Sequence, residues 1–320
     1  MKALVYYGPG ILALEDVDRL SGDVIVEVRE AGICGTDLKT FLRGHHLFTP
    51  PIVLGHECYG RICESCSPTF KNGDIVVIAP YLECGKCWHC AHNIKELCKH
   101  KICLDQGCFA EYVVLSREKA ERLLFSAPME LEVLVLTEPL ACVLTSVQRL
   151  GIVESALIVG GGPMGALFAA HFSHLDVKVQ IVEPATWRAN YLKKLGFDII
   201  SKHDIDRYYD VVVICVDIPS IAEEFSAFVA DGGTLLLFGG FQEKTKIVLD
   251  AHQLHYREIT VTGTTGYWSH MFVEAMKELI KYEKTFSSIV THRFPLDKFA
   301  EAFRVLQART GLKVVFTINV

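Results

Sequence analysis

The sequence lacks the marks of several protein classes. No apolar run approaches the roughly 20 residues that a membrane-spanning helix needs, which excludes that mode of membrane insertion. Positive charge is not in excess: 32 Lys and Arg stand against 38 Asp and Glu, a net charge of −6. Such a chain has no general attraction for nucleic acid or for an anionic membrane surface. Internal repeats and low-complexity segments are also absent. The start, Met1-Lys2-Ala3-Leu4-Val5-Tyr6-Tyr7, alternates like a strand and reaches Gly8-Pro9-Gly10 too soon for a secretory core. A cytoplasmic location is therefore expected. In that reducing setting the 12 cysteines point to metal chemistry before disulfides. What is present is globular in character: 50% of residues are hydrophobic and 22% charged. At 320 residues the chain exceeds one average core, so two domains are expected.

Four cysteines, Cys84, Cys87, Cys90 and Cys98, follow the spacing C-x2-C-x2-C-x7-C. Thiolates three residues apart can converge on one point, and a fourth from the same loop closes a tetrahedron, as a structural zinc site requires. Lys86, Lys95 and Lys99 bring positive charge near the sulfur. Without a metal, four neighbouring thiols would be open to oxidation. A disulfide knot or an iron–sulfur cluster would use the same residues; zinc is favoured because the rest of the sequence supplies a redox-inert use for it. Cys63 and Cys66 repeat the short spacing inside a strand-like run and read as incidental. Cys58, Cys103, Cys108, Cys142 and Cys215 read as small buried hydrophobes.

The first third of the chain consists of short β-like runs punctuated by glycine and proline, an all-β, barrel-like unit with the cysteine loop as an excursion. From about Leu140 strand-like runs (Ala156–Val159, Val177–Val182, Val211–Val216, Thr234–Phe238 and Ile259–Thr262) alternate with helical stretches such as Ala189–Leu195 and Ile221–Val229. That rhythm predicts βαβ units and a parallel sheet. A helix near Met271–Lys281 and a final strand at Lys313–Ile318 read as a return to the first domain. The segment Leu157-Ile158-Val159-Gly160-Gly161-Gly162-Pro163-Met164-Gly165 sets G-x-G-x-x-G between an apolar strand and a helix. Gly160 permits the tight turn, Gly162 lets backbone amides approach a pyrophosphate, and Gly165 lets helix and strand pack closely. Glu183 ends the next strand, where a carboxylate accepts ribose hydroxyls and repels a 2′-phosphate, favouring NAD over NADP. Arg188 could take a 2′-phosphate, but its expected place is facing solvent on the following helix. Pro163, Met164, Cys215, Val216 and Gly239 complete the expected cofactor-binding set.

Three more segments follow the same order as a known pattern: Cys34-Gly35-Thr36-Asp37, Gly55-His56-Glu57 and Glu138-Pro139-Leu140. With the cysteine loop and the glycine-rich turn, they make the chain resemble the zinc-dependent medium-chain dehydrogenase/reductases of the alcohol dehydrogenase superfamily. Among these it is closer to the sorbitol-type polyol and threonine dehydrogenases than to the ethanol-type enzymes. The resemblance implies an α/β fold: a GroES-like β-barrel catalytic domain (1–138 and 268–320, with the zinc loop 84–98) and a doubly wound Rossmann domain (139–267). It implies two zinc ions per chain, one catalytic and one structural, with NAD as the cofactor. Cys34 and His56 would be catalytic zinc ligands, and Glu57 would bind the metal or stand just behind it. Glu138 would replace a cysteine ligand of the ethanol-type enzymes. One thiolate, one imidazole and a carboxylate leave a position open for substrate oxygen. Thr36 would hydrogen-bond that oxygen and pass its proton on. Many relatives place a histidine five residues after the cysteine, whereas this chain has Lys39; His45 and His46 are other outlets, unless they form a plain polar turn. Asp37 would orient a neighbour. Phe41–Phe48 would border the substrate, and Tyr267 and Trp268 either face nicotinamide and substrate or pack in a core between domains. The expected reaction is oxidation of a secondary alcohol (polyol, cyclitol, sugar or hydroxy amino acid) by a homodimer or homotetramer. Carbonyl reduction in the reverse direction and a retired NAD-binding protein are the alternatives.

Overall fold

Short, largely apolar runs make the strands of the N-terminal third, and glycine ends two of them, Lys2–Gly8 and Val24–Gly32. The computed structural model describes residues 1–19, 21–45 and 48–319. Lys2–Gly8 pairs antiparallel with Ile11–Asp16 on one edge and with Ile52–Val53 on the other. The larger sheet is organised around Val24–Gly32, which pairs antiparallel with Glu57–Ser65, Tyr112–Leu115 and Lys313–Thr317. This hub strand ends at Gly32, with Glu57 opposite it on one neighbour and Val315 on the other. Residues far apart in sequence thus meet at one strand end, two residues before Cys34. A further strand, Val290–Pro295, pairs parallel with Lys313–Thr317 across the helix Phe299–Ala308. The cysteine loop leaves and returns through a two-stranded ribbon, Tyr81–Leu82 with Ile102–Cys103.

The chain divides into two units, Met1–Ala141 with Tyr267–Val320, and Cys142–Gly266. In the second, six strands run Ser155–Val159, Lys178–Val182, Asp198–Ile200, Tyr209–Ile214, Val229–Leu237 and Thr260–Gly263. Numbered in chain order, they lie 3-2-1-4-5-6 in space, all parallel, the doubly wound arrangement with its switch point beside the first strand. Helices cover both faces of such a sheet, so its central strands read as unbroken apolar runs, Ala156–Val159 and Val211–Ile214. Leu157, Val212, Ile214, Phe225 and Leu235 form its buried core. Each such side chain contributes about 1.5–3 kcal/mol when fully buried.

Several details depart from the sequence-based expectations. The helix foreseen at Ile221–Val229 spans Pro219–Phe225 and ends in a 3-10 turn, because Val229 already pairs with Tyr209 in the sheet. The helices Gly35–Arg43 and Phe299–Ala308 and the edge strand Asp198–Ile200 were not foreseen. Cys103 is exposed rather than buried, since the ribbon that carries it has no further strand beside it.

Candidate metal centres and the glycine-rich turn

The Sγ atoms of Cys84, Cys87, Cys90 and Cys98 lie within 4.8 Å of one another. Cys87 is 3.5 Å from Cys90 and 3.6 Å from Cys98, and Cys84 is 3.9 Å from Cys90. Four sulfurs at about 2.3 Å from one tetrahedral zinc would stand about 3.8 Å apart. A disulfide needs about 2.05 Å, and a multi-iron cluster would spread its cysteines over several irons, whereas these sulfurs share one centre. Backbone N–H donation from Cys90 lowers the Cys87 thiol to about 6, and backbone donation from Lys86 lowers Cys84. Burial pushes Cys90 up to about 12, so its proton must be displaced by the metal. The donor set fits zinc.

The second constellation joins Cys34, His56 and Glu57, whose donor atoms also lie within 4.8 Å of one another. Cys34 is the N-cap of Gly35–Arg43, and Asp37, at the third helical position, accepts the Cys34 backbone N–H at 2.8 Å. This carboxylate–backbone bond is half of a capping box, and it fixes the cysteine at a helix start. The other Asp37 oxygen stands 3.5 Å from His56 Nδ1. Asp37 is fully buried, and with Nδ1 facing its carboxylate, Nε2 would be the ring nitrogen open to a metal. Burial opposes a charge on His56, but the neighbouring Asp37 and Cys34 outweigh it and hold the ring well above its ordinary range. A positive ion at Nε2 would meet the same favourable field. One sulfur, one nitrogen and one carboxylate oxygen form an open donor set suited to catalytic zinc.

Glu57 is only 1% exposed, and one of its oxygens accepts a hydrogen bond from Lys313, itself only 2% exposed. Burial would discharge a lone lysine, yet Glu57, Cys34 and Glu138 together raise the Lys313 ammonium above its ordinary value. The sequence reading missed Lys313. Its one signal is a solitary charge in the apolar run Leu312–Phe316. A Cβ at Gly32 would meet a Glu57 oxygen and Lys313 Cε, so a larger residue there would have to displace the pair. Glu138 opens the helix Thr137–Val147, is 9% exposed, and falls outside the 4.8 Å grouping.

Thr36 is half-buried in the first turn of Gly35–Arg43, and Lys39 is half-buried on the same helix. Phe41 packs edge-on against Phe303 at 5.0 Å, so the start of the presumed substrate loop is a helix–helix contact. Arg43 is exposed at the helix end, and half-buried His45 lies 5.7 Å from Phe48; His46 falls outside the described residues. Tyr267 is 1% exposed and Trp268 half-buried, and both contact the cysteine-loop region of their own unit.

In the second unit Gly160 has φ +104°, a conformation that favours glycine. A Cβ at Gly165 would strike the Gly160 carbonyl. Pro163 and Met164 open the helix Pro163–His174. Glu183 accepts the backbone N–H groups of Gly161 at 2.8 Å and Ala185 at 2.7 Å, tying the second strand to the turn. Arg188 does not face solvent as expected. It is half-buried, its guanidinium near Gly162, because the helix Thr186–Lys194 turns that face toward the glycines. Cys215 and Val216 follow the fourth strand, and the Gly239 backbone packs so closely on Val216 that a Cβ there would strike its carbonyl.

Residues 20–124 match the family model described as the alcohol dehydrogenase GroES-like domain, and residues 163–281 that described as zinc-binding dehydrogenase. The chain is 29% identical over 314 residues to the D-altritol 5-dehydrogenase of Agrobacterium fabrum, covering 92% of each. It is 28% identical to the L-threonine 3-dehydrogenase of Pyrococcus furiosus, covering 100% of this chain and 98% of the relative. The solved structure of 2R,3R-butanediol dehydrogenase from Bacillus subtilis shares the fold with a TM-score of 0.86 at 23% identity, covering 99% of both chains.

Proposed function

The chain belongs to the zinc-dependent medium-chain dehydrogenase/reductases, and from that premise we propose how its own residues divide the work. The protein is a zinc-dependent NAD(P) oxidoreductase that oxidises a secondary alcohol to the carbonyl. The convergence of Cys34, His56 and Glu57 carries the assignment of the active centre. Cys34 and His56 would hold the catalytic ion, with Glu57 as the nearest carboxylate and Glu138 as a further one. Zinc, when bound, supplies the Lewis acidity that lowers the pKa of a substrate hydroxyl. NAD, when bound at Gly160–Gly165, supplies the hydride acceptor.

Each remaining step falls to a side chain. Asp37 keeps the His56 ring in one orientation and one tautomer. The Thr36 hydroxyl would accept the substrate proton while releasing its own to solvent water, so the alcohol carbon can give up hydride without stranding charge. Lys313 offsets the charge of Glu57 in a site already crowded with anions. Cys84, Cys87, Cys90 and Cys98 hold the structural ion. Pro163, Met164, Cys215, Val216 and Gly239 border the dinucleotide, Glu183 favours NAD and Arg188 stands where a 2′-phosphate could be met. The substrate we infer is a polyol, sugar, cyclitol or hydroxy amino acid, as the names of the relatives suggest. No helix among the described residues is long and apolar enough to cross a membrane, in keeping with a cytoplasmic enzyme. The edge strand Thr260–Gly263, paired on one side, would support a homo-oligomer.

The test is a screen of polyols, cyclitols, aldonates and threonine with NAD, read by NADH absorbance, together with metal analysis of the same preparation. Turnover on at least one class with two zinc ions per chain is expected. Turnover without zinc would sink the assignment.

A further inference from the structure

We propose that Tyr81, Glu83 and Glu96 are positioning residues through which the metal-loaded cysteine loop holds the segment Tyr267–Ser269. The chain re-enters the first unit at Tyr267, directly after Gly266, whose φ is +62°. Three consecutive side chains then bond into the cysteine-loop region. The Tyr267 ring stacks on Tyr81 at 4.8 Å and 22°, and its hydroxyl donates to the Tyr81 carbonyl at 2.6 Å. Trp268 Nε1 donates to Glu96 at 2.5 Å, and Ser269 Oγ donates to Glu83 at 2.6 Å. Glu83 immediately precedes Cys84, and Glu96 lies two residues before Cys98, so the two carboxylates sit at opposite ends of the ligand run.

Both carboxylates are buried, Glu83 at 8% and Glu96 at 4% exposure. A buried carboxylate deprived of its donors is costly, so these contacts hold as long as the loop keeps its shape. Between the two carboxylates the loop has only one short helix, Trp88–Ala91, and the 3-10 turn that contains Glu96, Lys95–Leu97. Segments of that length do not hold themselves together; the four sulfurs closed on one ion would do so. Trp268 is also the N-cap residue of the helix Ser269–Lys281, and its indole N–H donates to Glu96. Metal in the loop therefore fixes where the chain returns and where this helix begins. The inference rests on the loop being a zinc site.

Two experiments test it. In a Cys34→Ser, Trp88→Phe, Trp187→Phe background, Trp268 is the sole indole and the loop is the intended sole zinc site. Zinc is released with an organomercurial thiol reagent and counted with a chromogenic chelator. The Trp268 emission should move to longer wavelength in step with the one zinc released; emission unchanged after full release overturns the proposal. If this background holds no zinc at the outset, the zinc reading of the loop fails and takes the proposal with it. In the same background, adding Glu96→Gln and Ser269→Ala should keep the one zinc and a folded far-UV spectrum yet move the Trp268 emission to longer wavelength before any metal is released. Emission identical to that of the background would equally overturn the proposal. Ser269→Thr, which keeps the donor, should restore most of that shift relative to Ser269→Ala.

Discussion

The two metal constellations gather their donor atoms into the same 4.8 Å and are built in opposite ways. The cysteine loop takes four like donors from residues 84–98 and encloses them between two arms of one ribbon. The Cys34 centre takes sulfur, nitrogen and oxygen from a helix cap, a strand end and, behind them, a lysine 256 residues from its partner carboxylate. The first is closed, soft and local. The second is open, mixed in charge and assembled by the sheet. Closure suits a role in stability, whereas a mixed set with an open position suits chemistry.

Perturbing one centre at a time separates the two designs. Cys34→Ser should lower kcat/KM by about a thousandfold or more, the range expected when zinc catalysis is lost. Binding of NAD, measured by nucleotide fluorescence quenching, should survive, and activity within tenfold of wild type would erase the difference between the two centres. Lys313→Met leaves the Glu57 carboxylate buried without its partner and should cost about 3–5 kcal/mol of stability by denaturant titration. Adding Glu57→Gln should return a large part of that loss. A double variant no more stable than the single one would show that the pair does not act as a unit. Asp37→Asn should weaken metal binding at the open centre about 10–100-fold in chelator competition while leaving the loop unchanged. The mildest intervention is acid. His56 is held above its ordinary range, so its ring is protonated and lost as a ligand when pH falls through that raised value. Acidification should therefore empty the Cys34 centre, followed as zinc released to a chromogenic indicator, and an ion retained there in acid would contradict the role of His56 as a ligand.

The same contrast explains what could be read from the sequence. The cysteine loop and the turn Gly160–Gly165 were legible because their geometry is local: spacing alone brings four sulfurs together and puts glycines where backbone must approach backbone. The alternating strands and helices after Leu140 gave the parallel sheet for the same reason. Cys34, His56 and Glu57 stood out only through resemblance, since no spacing rule links a helix cap to a strand end. Lys313 was out of reach, because it meets Glu57 only through the pairing of Val24–Gly32 with strands from both ends of the sequence. Arg188 was expected to face solvent, but its half-buried place near Gly162 depends on which face of the helix Thr186–Lys194 packs, which the sequence pattern does not set. The helix Phe299–Ala308 was overlooked although Ala302 and Phe303 mark a short buried stripe on it.

The pairing of Glu57 with Lys313 also sets an order for synthesis. All of the second unit is translated between the two residues. A nascent chain can bring its four loop cysteines together once the second ribbon strand, Ile102–Cys103, has left the ribosome. The counter-charge behind the reactive centre arrives only after the nucleotide-binding sheet has been made. Until then the centre carries an uncompensated carboxylate, so the enzyme reaches its working charge balance in one of its last acts of folding.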